Sequence, residues 1–386
     1  MTGAGGPGAE SSSFGRPTLP LRDYLLVPLI SLVTVLVMFG VAEIVTRRIW
    51  VEQDYDECVS APGAQPNVSC TFRAKNAEGP WSDYRYNECG YRSETSCGPK
   101  PPGTARIAIV GASASFGYLS PYEQTYFAYV SRELSRSCGF PVDVQNMGRP
   151  GTTSEFAFRS TDKALALDPD VILYLIVPYD VEQQFDAPDL NPRSDAKTAR
   201  TPPLQLSLMR RIQIMITQSR AVLVAQHFLF QDTDTFLRLY LNYGDKADFL
   251  RQPFSERWQT RFANINLVMA GISEKAHARN VPLVLVPLPS RAEAALLSSK
   301  NPPPGVDSFA FGRQIEKMAR EHSAEYVELM EPFSRIPHSE RLFYVVDGHA
   351  TFEGQRVIGQ QVVAKLLDGS VPAFAHCSAT TAAAPR

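Results

Sequence analysis

The chain has 386 residues, enough for one large domain with attachments or for two ordinary domains. Hydrophobic residues make up 44% and charged residues 20%, a globular balance that excludes disorder over most of the length. A formal net charge of -2 offers no basic excess to release counterions from a phosphate backbone, so nucleic acid is not an expected partner.

Residues 1–23 are rich in Gly and Ser and read as a disordered N-terminal tail. The uncharged run LLVPLISLVTVLVMFGVA, Leu25 to Ala42, follows and continues past Glu43 through Ile44 and Val45. That length predicts one transmembrane helix over 24–46. Tyr24 and Trp50 lie near its ends as interfacial aromatics do, and Arg47 and Arg48 can reach headgroups. The competing reading is a cleaved signal peptide with Gly40 and Ala42 at the cleavage site, but the run is longer than a typical apolar signal core. Charge does not orient the helix, since Arg16 and Arg22 flank one end and Arg47 and Arg48 the other.

Cysteines supply the orientation. Cys58, Cys70, Cys89 and Cys97 fall in 47–100, a Pro/Gly-rich stretch that reads as a disulfide-bearing stalk, and Cys138 and Cys377 can make a third pair. Disulfides belong in an oxidising compartment, which predicts a cytoplasmic N-terminus and an extracytoplasmic main domain, periplasmic or extracellular. No CxxC pair with a nearby His suggests a metal site. Asn67-Val68-Ser69 is formally a glycosylation acceptor.

After the turn signal KPPGT comes RIAIV, a short apolar run ending at Gly111 that reads as a first buried strand. Tyr122 to Leu134 reads as helix, PVDVQNM as a second strand, Ser154 to Leu167 as helix and DVILYLIV as a third strand. A long connection separates it from a fourth strand, VPLVLVPLP. Residues 186–203 there are Pro/Asp-rich and read as loop; Leu204 to Leu229, Phe236 to Leu241 and Glu256 to Arg279 read as helices. The Leu204 to Leu229 stripe fits a core-facing helix best, with a lid or a membrane-resting face as alternatives. YVELM, Tyr326 to Met330, reads as a fifth strand. Alternation of strands and helices predicts a parallel sheet covered on both faces.

Three motif blocks carry chemistry. GASASFG, Gly111 to Gly117, lies between a predicted strand and a predicted helix, where a serine projects from the carboxyl edge of the sheet. It is not a phosphate loop, a dinucleotide fingerprint or the GxSxG elbow. NMGRPGTTS, Asn146 to Ser154, follows the second strand with glycines that let backbone N–H groups approach a ligand. VVDGHATFEG sets Asp347 two residues before His349, so a carboxylate can fix the imidazole's tautomer. None of His227, His277, His322, His338 and His376 has a carboxylate two residues before it on a Gly-flanked turn.

In this order the blocks resemble the SGNH, or GDSL, hydrolases, and the resemblance runs from NECGYRS to DGHATFEG, about residues 86 to 368. It implies a flavodoxin-like three-layer α/β/α sandwich with a central parallel sheet, preceded here by the transmembrane helix. The hydrolase-like domain is expected over 101–370, with a helical insertion at 186–262 and a flexible tail at 371–386. The resemblance further implies acyl transfer through Ser113, with His349 as base and Asp347 orienting it. The oxyanion would be held by the N–H groups of Ser113 and Gly151, with position 179 as the third donor. No metal or organic cofactor is implied. The chain departs from the family pattern in having Ala112 before the serine, Tyr179 where an Asn is usual, and Val346 three residues before His349. The expected function is an O-acyl esterase, or an acyltransferase using the same serine, acting on an acylated glycan or other cell-envelope ester. A noncatalytic glycan- or protein-binding module on the same fold is the alternative.

Overall fold

A computed structural model describes residues 20, 22–56, 69–190, 215–216 and 218–377. Residues 1–19 of the expected N-terminal tail, Cys58, Asn67 and residues 204–214 of the expected helical stripe lie outside the described residues.

The apolar run forms one helix, Asp23–Ile49, of 27 residues, none of them buried. At a rise of about 1.5 Å per residue it is about 40 Å long, more than the hydrocarbon core of a bilayer. The segment after it, expected to be a stalk, instead builds a three-stranded antiparallel sheet: β1 (Gln53–Asp56), β2 (Cys70–Lys75) and β3 (Trp81–Tyr86). Along β3 the side chains of Ser82 and Tyr84 turn inward while Trp81 and Arg85 face solvent, the period-two pattern of a half-covered strand. Tyr84 and Ala74 pack there with Phe116 of the main domain, so this sheet is part of the body. Cys89 and Cys97 are disulfide-bonded in the loop that leads on.

The main sheet has five parallel strands: β4 (Ala105–Val110), β5 (Val142–Asn146), β6 (Val171–Ile176), β7 (Leu283–Pro287) and β8 (Glu325–Tyr326). Their order is β5-β4-β6-β7-β8, a doubly wound arrangement. Every residue of the first four is buried; β4, β6 and β7 accordingly read as largely apolar runs, while β5, VDVQN, buries Asp143, Gln145 and Asn146 in hydrogen bonds. Alternate residues feed two cores. Ala108 and Val110 face a layer that includes helices Ser154–Ala166, Glu256–His277 and Ala310–Glu321; Ile107 and Ile109 face helices Tyr126–Cys138 and Phe352–Leu366. The result is the α/β/α sandwich with a parallel central sheet.

Four expectations change. The fifth strand is only Glu325–Tyr326, and Met330 already starts the helix Met330–Ser334, because Pro332 and the polar Glu331 favour a helical first turn over a ladder. The region 186–262 is not all insertion, since Trp258 in the helix Glu256–His277 is fully buried in the core. The described part of the 204–229 stripe, helix Arg220–Leu229, has no buried residue and packs on the apolar helix rather than inward. Glu43 accepts hydrogen bonds there from Ser219 Oγ at 2.7 Å and from the N–H groups of Ala221 at 2.9 Å and Arg220 at 3.2 Å, a carboxylate set against a helix N-terminus. Finally, the expected tail at 371–386 begins folded: Val371 and Phe374 are fully buried, and Cys377 is disulfide-bonded to Cys138.

Candidate active site

The site is assembled where the strand order reverses, at the carboxyl ends of β4 and β6. After β4 the backbone enters a conformation only glycine takes easily, with φ 138° at Gly111, where an added Cβ would stand 2.0 Å from Ser115 Oγ. One helical turn, Ser113–Phe116, follows. Ser115 Oγ lies 3.0 Å from the Val110 carbonyl and 3.2 Å from that of Leu175, so the hydroxyl bolts the turn to the ends of both strands. Arg92, wholly buried, donates to the carbonyls of Phe116 at 2.6 Å, Gly117 at 2.9 Å and Ser120 at 2.6 Å. Its guanidinium lies over the rings of Tyr84 and Phe116, each 4.7 Å away. Burial lowers its pKa to about 10, which leaves it charged at neutral pH.

The second block is locked to the first. Asn146 Nδ2 donates to the Ser115 carbonyl at 2.9 Å, and its Oδ1 accepts the Gly148 N–H at 2.9 Å. The approach is close enough that a Cβ on Gly148 would lie 2.6 Å from Phe116 N. Gly151 follows with φ 73° and lines the same cavity as Ser113.

The third block is a turn ahead of the helix Phe352–Leu366. Tyr344 donates its N–H to the His349 carbonyl at 2.8 Å, and Gly348, with φ 83°, donates to the Tyr344 carbonyl at 3.1 Å. This turn brings His349 Nε2 to 2.8 Å from Ser113 Oγ and His349 Nδ1 to 2.5 Å from Asp347 Oδ1. The ring of Tyr118 meets the imidazole edge-on, with centroids 5.1 Å apart. Burial pushes the Asp347 carboxyl upward, but the hydrogen bond and charge of His349 outweigh it and hold the group below its ordinary value.

Ser113, His349, Asp347 and Gly151 therefore share one cavity of about 480 Å³, whose walls are largely apolar and include Phe249, Tyr240 and Leu288. Tyr179 also lines it, but with 58% of its surface exposed it stands at the rim. The next residue, Asp180, is buried and accepts the Val177 N–H at 3.0 Å. Burial pushes its carboxyl up to about 7, against the opposing pull of that hydrogen bond and of His349. Among the described residues no cluster of three or more His, Cys, Asp or Glu is arranged to hold a metal ion.

Sequence reasoning passed over Ser115, Asn146, Arg92 and Tyr118 as site residues. Ser115 and Asn146 stand inside the motif blocks, and their place at the carboxyl ends of two strands was the available signal. Arg92 carried none, because its partners lie 24 to 28 residues on.

No family model matches the chain, and no curated protein matches it. Among solved structures the chain is similar to the lipase/acylhydrolase from Enterococcus faecalis, at 15% identity and a TM-score of 0.36, covering 68% of this chain and 95% of that one. It is also similar to the esterase EstA from Pseudoalteromonas sp., at 13% identity and TM-score 0.35, covering 68% and 96%. The acetyl xylan esterase AlAXEase is a further similar structure, at 13% identity and TM-score 0.37, covering 67% and 98%.

Proposed function

We propose that this chain is a membrane-tethered serine esterase whose domain lies outside the cytoplasm and removes O-acyl groups from a glycan or another cell-envelope component. The observation that carries the reading is the unbroken line Ser113 Oγ, His349, Asp347, with separations of 2.8 and 2.5 Å, lining an apolar-walled cavity. A serine hydroxyl is a weak nucleophile until a base takes its proton, and a base is effective only when its imidazole is held in one tautomer.

In the acylation step Ser113 Oγ attacks the ester carbonyl carbon while its proton passes to His349 Nε2. Asp347 accepts the Nδ1 hydrogen bond and stabilises the imidazolium. The developing oxyanion takes the backbone N–H groups of Ser113 and Gly151. Collapse breaks the bond to the alkoxy oxygen, which leaves as an alcohol with the proton from Nε2. Water then gives a proton to Nε2 as its oxygen attacks the acyl-Ser113 carbonyl; collapse breaks the bond to Ser113 Oγ, which takes the proton back from Nε2, and the carboxylic acid is released. An alcohol in place of water would make the same site an acyltransferase. With Tyr179 at the rim, the oxyanion has two backbone donors; lacking a third typically costs about 10²- to 10³-fold in rate.

The tether is the helix Asp23–Ile49, and the Cys138–Cys377 disulfide supports an oxidising compartment for the domain and a cytoplasmic N-terminus. The test is turnover of a chromogenic acetyl ester by the full chain in detergent, with labelling by a fluorophosphonate in parallel. Ser113→Ala is expected to abolish labelling and to lower kcat by about 10⁴-fold or more. Equal product release by the wild type and Ser113→Ala would sink the proposal. Folded wild-type protein that neither turns over nor labels would favour a binding module.

A further inference from the structure

We infer that Glu78 is a positioning residue for the His349 base: it clamps the turn that carries Asp347 and ties that turn to the outer end of the apolar helix. This rests on the catalytic roles proposed above for Ser113, His349 and Asp347.

Glu78 lies in the loop between β2 and β3, and its side chain is only 2% exposed. One carboxylate oxygen, Oε2, accepts two consecutive backbone N–H groups, from Val346 at 2.9 Å and Asp347 at 2.7 Å. The other, Oε1, is 2.7 Å from His227 Nδ1. His227 in turn meets the ring of Trp50 edge-on at 4.6 Å, directly beyond Ile49 at the end of the apolar helix. Three segments far apart in sequence thus converge on one turn.

The chemistry of that turn explains the need for a clamp. Asp347 and His349 sit on the same short loop with a glycine in the left-handed region between them, and both side chains are partly exposed, at 34% and 25%. A loop of that kind does not stiffen itself. Backbone N–H groups that donate to a buried carboxylate make charge-assisted hydrogen bonds, about twice as strong as neutral ones. By fixing the backbone at 346 and 347, Glu78 sets where the Asp347 carboxylate stands, and hence the angle at which Nε2 meets Ser113 Oγ. A displacement of about 1 Å at such a distance can cost about 10²-fold in rate. Glu78 does not reach the substrate or the reacting atoms; it acts through Asp347 and His349.

The test compares the full-length wild type with Glu78→Ala, Glu78→Asp and Glu78→Gln in detergent, measuring kcat and KM for the chromogenic acetyl ester, with folding checked by circular dichroism. Glu78→Ala is expected to lower kcat by about 10- to 100-fold with KM within about twofold, the mark of lost geometry in the chemical step. Glu78→Asp keeps the charge but withdraws it by one methylene, and is expected to lose kcat similarly. Glu78→Gln keeps an acceptor at the Oε2 position and should retain at least about a third of kcat. Because Glu78→Asp and Glu78→Gln keep polar side chains of similar size, they carry the test even where the Ala variant does not fold. Wild-type kcat in folded Glu78→Ala or Glu78→Asp overturns the inference, as does a folded Glu78→Gln that is as impaired as Glu78→Ala. An active wild type with unaffected variants defeats the clamp alone, whereas an inactive, unlabelled wild type defeats the catalytic reading and the clamp with it.

Discussion

Two carboxyls feel the charge of the same imidazole, yet their pKa values are displaced in opposite directions. Asp347 pairs with His349 and is held below its ordinary value, whereas Asp180 is buried behind the carboxyl end of β6 and is pushed up to about 7. The contrast follows from partners: Asp347 has a cation-forming ring at 2.5 Å, while Asp180 has one backbone N–H at 3.0 Å. For Asp180 the folded value lies above the unfolded value near about 4, so the folded chain keeps a proton that the unfolded chain has released. Its contribution to stability is then fully present below about pH 4 and is lost as pH rises toward about 7. Asp180→Asn keeps a carbonyl to accept the Val177 N–H and removes the titration. The melting temperature of Asp180→Asn minus that of the wild type should therefore become more positive between about pH 5 and about pH 8. Differential scanning fluorimetry across that range checks it; a flat difference would show that Asp180 is ionised throughout.

At the scale of elements, the turn carrying Ser113 is one helical turn long, too short to hold itself, and its rigidity comes from neighbours. Beside Ser115 and Asn146, Arg92 contributes to it by donating to the carbonyls of Phe116, Gly117 and Ser120 through a planar fork. Lysine cannot reproduce that fork and would leave carbonyls without a donor in a buried place. Arg92→Lys is accordingly expected to destabilise the chain by about 2–4 kcal/mol, read from urea unfolding, and to lower kcat through displacement of the nucleophile turn. A variant with an unchanged midpoint would mean that the carbonyls find other donors. The same contrast decides what was legible. Strands β4, β6 and β7 are buried along their whole length and show as apolar runs; Ser113 and Gly151 follow strands in motif blocks, Asp347 and His349 precede a helix in another, and all four could be named. Strands β1 to β3 could not, because CTFRAK and WSDYRY mix charge with aromatics as half-covered strands do, and the cysteines around them suggested a stalk. Arg92 and Glu78 were out of reach for a different reason: their roles consist of contacts to backbone atoms, whose positions no side-chain pattern reports.

At the scale of the whole molecule, the C-terminal segment is joined to the helical layer beside the closing helix. Helix Tyr126–Cys138 packs against the closing helix Phe352–Leu366, and the chain then continues through the buried Val371 and Phe374 to Cys377, bonded to Cys138. The bond closes a loop of 239 residues that holds β5 to β8 and the third motif block. In a chain-entropy treatment, closing a loop of that size restricts the unfolded chain by about 5 kcal/mol, an upper figure because measured effects centre on about 2–4 kcal/mol. The turn bearing His349 leads straight into the closing helix, so loosening the C-terminal segment should reach the site only by way of that helix. The double variant Cys138→Ser/Cys377→Ser is therefore expected to unfold with a loss of about 2–5 kcal/mol while kcat below the transition stays within about threefold of the wild type. Dithiothreitol should lower the wild-type midpoint by more than it lowers the variant's, since the Cys138–Cys377 loop of 239 residues is far longer than the 8-residue Cys89–Cys97 loop that both proteins keep. Equal midpoints for the oxidised wild type and the double variant would show that packing of Val371 and Phe374 alone holds the segment. A matched loss of kcat and stability would instead tie the base loop directly to the disulfide.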